Sequence, residues 1–308
     1  MTDVRYRTLG DRRVSVVGLG VMPLSIEGRP DSARALATVH AALDSGVTLL
    51  DTADSCHLPG AEPGHNELLV ARALAAYGGD AQGVLVATKG GRGRPADGSW
   101  TVNGDPRHLK AAAGASLRRL GVEAIGLYQL HKPDPGVPFE ESVGALRELL
   151  DAGKIRLAGV SNADVDQIRA AHRILGDRLV SVQNQYSPAV RDSEAELRLC
   201  AELGLAFLPW SPLGGISRSS LDGPARSEDG LSPTVDEPRF GAFRAVAAAR
   251  GVSPQQVCLA WLLARSPAVI PIPGASRPRT IRDSAAAADL VLGAEELARL
   301  DGAAVRVG

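Results

Sequence analysis

Polar and aromatic side chains recur at one place in a repeating pattern, the C-terminal end of a β-branched run. In chain order they are Asp51, Lys89, His131, Ser161 with Asn162, Gln183, and Trp210 with Ser211. A carboxylate, an ammonium and an imidazole suit acid–base work, hydroxyls and amides donate and accept, and an indole stacks. Each alone has an ordinary explanation, since a lysine after a strand is usually solvated and a lone histidine is usually a satisfied surface or core group. Their succession, strand end after strand end, sets them apart. The run Leu50-Asp51-Thr52-Ala53-Asp54-Ser55-Cys56-His57 adds a thiol. A free thiol titrates at about 8.5 and donates weakly. Cysteine is also among the most buried residue types, so a small core filler is the plain reading of Cys56.

The elements that must position these residues alternate regularly. Strand candidates are Val17–Val21, Thr48–Asp51, Gly83–Thr88, Ile125–Leu130, Arg156–Val160, Val180–Gln183, Ala206–Pro209 and Val269–Pro271. Amphipathic helices are expected between and after them, over Ala33–Ser45, Asn66–Tyr77, Pro106–Leu120, Phe139–Ala152, Asp164–His172, Ser193–Leu203, Phe240–Arg250 and Pro254–Arg265. Another begins near Pro278, and a short one lies around Leu292–Leu297. Eight βα units in one run point to an α/β fold, a (β/α)8 TIM barrel forming a single domain over residues 1–308. Catalytic groups of such barrels gather at the C-terminal ends of the strands. Two short strands around Gly10-Asp11-Arg12 form an N-terminal β-hairpin. A doubly wound sheet fits less well, because Gly18-Leu19-Gly20 lacks the third glycine of a dinucleotide turn and Pro23 follows where a helix should start. A long loop after strand 7, Leu213–Glu237, is rich in Gly, Ser, Pro and Asp and reads as a lid or a solvated insertion.

Bulk properties exclude other classes. The chain has 308 residues, 44% of them hydrophobic, and a net charge of −1. That is ample for a core and gives no sign of a nucleic-acid or membrane-surface partner. No apolar run is long enough to span a bilayer, and the first residues lack a signal-peptide core. Cys56, Cys200 and Cys258 are widely spaced and odd in number, which gives neither a zinc pattern nor a disulfide framework and makes the cytoplasm the default compartment.

The motifs Asp51-Thr52-Ala53-Asp54, Val86-Ala87-Thr88-Lys89, Leu127-Tyr128-Gln129-Leu130-His131 and Gly159-Val160-Ser161-Asn162 stand in this order. Gln183-Asn184-Gln185-Tyr186, Trp210-Ser211-Pro212-Leu213-Gly214 and Ile272-Pro273-Gly274-Ala275-Ser276-Arg277-Pro278 follow. Together they resemble the aldo-keto reductase superfamily, most closely its bacterial reductases resembling potassium-channel beta subunits. The resemblance implies an oxidoreductase that moves hydride between NADP(H) and the carbonyl of a small-molecule substrate, a ketone, aldehyde or conjugated enone. Asp51 would pair with Lys89, and His131 would polarise and orient the carbonyl. Ser161, Asn162 and Gln183 would hydrogen-bond the carboxamide, Trp210 would stack on the nicotinamide, and Ser211, Pro212, Leu213 and Gly214 would line the pyrophosphate. Ser276 and Arg277, with Thr280 beside them, would hold the adenosine end, which favours NADPH. Asp283 and Ser284 depart from the Glu-Asn that the family often carries there.

The resemblance also makes Cys56 an atypical active-site residue, because the family places a proton-donating tyrosine there. Lys89 beside it would lower the thiol's pKa, toward a thiolate with no proton to give. A thiol is also several ångströms shorter than tyrosine, and a donor must lie within about 2.6–3.2 Å of its target. Three readings stay open. His57, His131 or water could replace the donor. The chemistry could need no such acid, as in hydride addition to a conjugated enone. Or the barrel could work without redox, as a dehydratase, isomerase or cyclase, or as a silent NADP-binding regulatory protein. The loops Arg92–Val102 and Leu213–Glu237 carry no readable substrate code, and the short tail after Asp301 suggests an open pocket for a bulky substrate. Oligomeric state is not encoded legibly.

Overall fold

The computed structural model describes residues 6–214, 216–217 and 240–304. Strands β1 (Tyr6–Leu9) and β2 (Arg12–Ser15) form the expected hairpin. Its turn uses Gly10 at φ 61°, where a Cβ would meet Val180 Cγ1 at 2.6 Å. The hairpin brings Leu9 and Val14 into one cluster with the barrel interior, among Leu49, Leu85, Leu127, Val180, Ala206 and Ile270.

The barrel strands are β3 (Leu19–Gly20), β4 (Leu49–Asp51) and β5 (Leu85–Gly90). A second small hairpin, β6 (Arg92–Gly93) and β7 (Thr101–Val102), leaves the end of β5. The barrel continues through β8 (Ile125–Leu130), β9 (Ile155–Ser161), β10 (Leu179–Gln183) and β11 (Ala206–Phe207). All seven barrel strands run parallel in the order β11-β10-β9-β8-β5-β4-β3. The eighth place is taken by residues 269–274, which form no regular strand but bridge both edges, Phe207 to Val269 and Gly20 to Gly274. The cause is Pro271 and Pro273, which have no N–H to give a ladder. Their carbonyls accept from Gly18 N at 2.9 Å and Gly20 N at 3.0 Å, while Ile270 N donates to Phe207 O at 2.8 Å. The (β/α)8 barrel is closed by this proline-alternating segment.

Outside it lie α1 (Ser32–Asp44), α2 (His65–Ala75), α3 (Pro106–Leu120), α4 (Phe139–Asp151) and α5 (Val165–Leu175). They continue with α6 (Glu194–Leu203), α7 (Gly241–Arg250), α8 (Pro254–Arg265), α9 (Pro278–Ala286) and α10 (Ala294–Ala304). Local chemistry sets their starts. Asp105 accepts from the N–H groups of Arg107 and His108, and Asp164 with Gln167 forms a reciprocal capping box. At α2 neither His65 nor Asn66 caps the helix. Gly64 does, at φ 92°, and Asn66 instead donates to Val21 O and Ser25 Oγ. The main core packs α3 to α8 against the outer faces of β8 to β11. The expected lid, Leu213–Glu237, falls almost wholly outside the described residues, as do the last four of the tail. Among the described residues no helix is long and apolar enough to cross a membrane.

Candidate active site

The strand ends converge as their order demands, around a cavity of about 400 Å³. Asp51 closes β4 and Lys89 lies near the end of β5, on neighbouring parallel strands. Lys89 Nζ donates to Asp51 Oδ2 at 2.7 Å and to Thr52 O at 2.8 Å. Asp51 Oδ1 accepts from Gln183 Nε2 at 2.9 Å and from Gln129 Nε2 at 3.4 Å. All four side chains are buried. A buried ion pair persists when further hydrogen bonds satisfy its remaining lone pairs, and the two glutamines do this for Asp51. Gln129 escaped the sequence reading. Its signal was period two, because it stands two residues before His131 and shares its inward face.

His131 follows β8 and lines the cavity, its Nδ1 3.3 Å from Ser55 Oγ. Burial, then the charges of Lys89 and Arg92, hold its pKa well below the ordinary 6.5. It is therefore neutral at neutral pH. Ser55 Oγ can donate to Nδ1 of the neutral ring, an arrangement that leaves the ring N–H on Nε2.

Cys56 also lines the cavity and is buried. Burial pushes its thiol up to about 12, overriding the downward pull of Lys89. The expected thiolate is thus corrected: desolvation outweighs the nearby ammonium, and Cys56 keeps its proton. His57, the expected substitute donor, does not line the cavity. Its buried ring donates from Nδ1 to Leu58 O at 2.7 Å. The turn that carries Cys56 into the wall carries the next side chain away from it.

The opposite wall is a shelf. Asn162 donates to His131 O and Ser161 Oγ, both at 3.0 Å, and accepts from Trp210 Nε1 at 3.2 Å. Ser161 spends its own proton on Gln183 O. The described residues with positive φ that are not glycine are Asn162 (56°) and Ser211 (47°). Both line the cavity. Such strain concentrates where a structure holds side chains for use. Pro212, Leu213 and Gly214 continue the shelf. Gly20 lines the floor and is needed there, since its Cβ would meet Ile272 O at 2.8 Å.

At the far end the cavity is lined by Arg279, Thr280, Asp283 and Ser284, but not by Ser276 or Arg277. Asp283 is tied to the start of α8, accepting from Ser253 Oγ and Gln256 Nε2, both at 2.7 Å. Two further lining residues, Arg92 and Trp100, come from the β6–β7 hairpin, a stretch with no readable substrate code in the sequence.

With this geometry in place, comparison with known proteins is decisive. The profile of the aldo/keto reductase family matches residues 16–305. The chain belongs to that family. An uncharacterised oxidoreductase of Schizosaccharomyces pombe is 33% identical over 297 residues, 95% of this chain and 88% of that protein. The glycerol dehydrogenase of Gluconobacter oxydans superimposes with a TM-score of 0.79 at 29% identity, over 98% of this chain and 95% of that one. An aldo/keto reductase of Klebsiella pneumoniae, solved with NADP and acetate, gives a TM-score of 0.74 at 28% identity, over 97% and 94%.

Proposed function

We propose that the chain is an NADP(H)-dependent oxidoreductase that reduces a ketone, an aldehyde or a conjugated enone, without a tyrosine acid. The observation that carries the reading is the Asp51–Lys89 pair, held by two glutamines and opening beside His131 onto a strained polar shelf. Klebsiella relatives are solved with NADP and with NADPH, and the shelf here fits such a group. The Gln183 amide donates to Asp51, which leaves its carbonyl oxygen to accept from a carboxamide, while Asn162 Oδ1 accepts from Trp210 and keeps one lone pair for the same duty. Trp210 is oriented by Asn162 for stacking. Arg279 and Thr280, which line the cavity, would serve a 2′-phosphate there.

The bound nicotinamide supplies hydride. The residues of the chain do the rest. Neutral His131 offers an N–H hydrogen bond that polarises the carbonyl, and Lys89 adds positive potential behind it. Cys56 is a weak hydrogen-bond donor and several ångströms shorter than a tyrosine, so its thiol falls short of the carbonyl oxygen and the final proton comes from a water that fills the gap. The missing acid costs on the order of 10²–10⁴ in rate relative to a good donor, leaving a slow but working reductase. The test is loss of NADPH absorbance with a panel of aldehydes, ketones and enones. Turnover that tracks NADPH one for one, and falls at least 100-fold in Lys89→Met, is expected. Product formed without cofactor consumption would instead favour an isomerase or dehydratase on the same residues.

A further inference from the structure

We propose that Arg92 is an anion-recognition residue and that the carbonyl substrate carries a carboxylate. This rests on the reductase reading above and names its substrate class. Arg92 lines the cavity, and its charge is felt by both Cys56 and His131, so it stands at the reacting end. Its position is built. Gly90 and Gly91 precede it. A Cβ at Gly90 would meet Tyr128 Oη at 2.0 Å, and Gly91 has φ 95°. Arg92 then pairs with Val102 across the β6–β7 hairpin, which brings Trp100 beneath the guanidinium at 4.4 Å.

Arg94 provides the contrast. Its guanidinium lies over the same ring at 4.6 Å, but its charge is spent on Glu27 and on His57 O. Lys89 is spent on Asp51. Among the described residues the Arg92 side chain has no ion pair and no hydrogen bond, and its Nε is buried without a partner. A half-buried cation left uncompensated is costly, and a ligand that supplies the missing charge recovers that cost. A guanidinium whose plane is fixed by an indole suits a planar, two-oxygen anion bound by a pair of parallel hydrogen bonds. With Arg94 and Lys89 already neutralised, one free positive charge fits a monoanionic carboxylate better than a phosphate dianion.

The experiment compares 4-carboxybenzaldehyde with its methyl ester, which keeps the ring and aldehyde and removes the charge. The expected result is at least a tenfold preference in kcat/KM for the acid, carried by KM, as a charge-assisted hydrogen-bonded pair provides. In Arg92→Met the ratio of acid to ester falls toward one, and Arg92→Lys keeps part of it. Equal kcat/KM for acid and ester in the wild type, or a preference that survives Arg92→Met, would overturn the proposal. So would an equal fall in kcat for both compounds, which would put Arg92 on the reacting oxygen. Benzoate titrated into the NADP⁺-saturated protein by calorimetry supplies a second readout, with Kd at least tenfold weaker in Arg92→Met. That arm separates the two readings. Benzoate binding that depends on Arg92 without turnover of any aldehyde would keep the anion site and sink the reductase, whereas unchanged benzoate affinity in the variant would sink the anion site.

Discussion

Desolvation decides the chemistry of individual residues here more than neighbouring charge does. Cys56 lies close enough to Lys89 to feel it, yet burial leaves the thiol with a pKa of about 12. The other two cysteines are buried and raised in the same way. A thiol reagent such as Ellman's should therefore find no fast-reacting group in the native protein at pH 8 and three after denaturation. A native thiol that reacts within seconds would restore the thiolate reading. Asp54 shows the same effect with opposite consequence. Its Oδ1 is buried without a partner, and burial raises its carboxyl from 3.8 to about 7, with Glu67 adding to the rise. Between those values the folded chain holds a proton that the unfolded chain has released, so stability falls as pH climbs through that window. Asp54→Asn removes the titration. Its gain in Tm over the wild type should be larger at pH 8 than at pH 4, and an equal or reversed difference would contradict the assignment. Residue types at the strand ends were legible from the sequence, because the barrel sends them to one face. Protonation states were not, since they depend on how much water each group loses, which no spacing records.

The elements themselves followed their patterns closely. The spacing located α3 and α8 as they stand, and α1, α2 and α4 to α7 within a few residues, because apolar period and capping residues agree over long segments, whereas α10 runs seven residues past the expected Leu297. Short features escaped. The β6–β7 hairpin has only two residues a strand, too few for any alternation to show, yet it delivers Arg92 and Trp100 to the cavity. The last barrel strand was expected over Val269–Pro271 and turned out to be a bridged, irregular segment, because its prolines withhold donors. Close approach of backbones is another property that only the assembled barrel reveals. Gly20 sits where that segment meets β3, with its missing Cβ 2.8 Å from a backbone oxygen that has no room to yield. Gly20→Ala should cost roughly 1–3 kcal/mol, the usual range for overpacking, and should be visible as a lowered urea midpoint with unchanged slope. A midpoint equal to the wild type would show that the seam is looser than the geometry implies.

At the scale of the whole molecule, the site is assembled from residues between Gly20 and Ser284, so nearly the entire chain must close before any of it works. Parallel pairing of that kind is non-local and slow to reward its entropy cost. Closure needs a register as well as a partner, and the proline pair provides one. Pro271 and Pro273 both face β3, where only their carbonyls are asked for, while Ile270 and Ile272 supply the N–H groups toward Phe207 and Pro209. Sliding the segment by one residue would turn both prolines toward β11 and delete both of those donors at once. The prolines thus act as a key cut for one lock position. A closure off by one residue would leave the carbonyls of Phe207 and Pro209 without those donors, so the last seam is complete in one register.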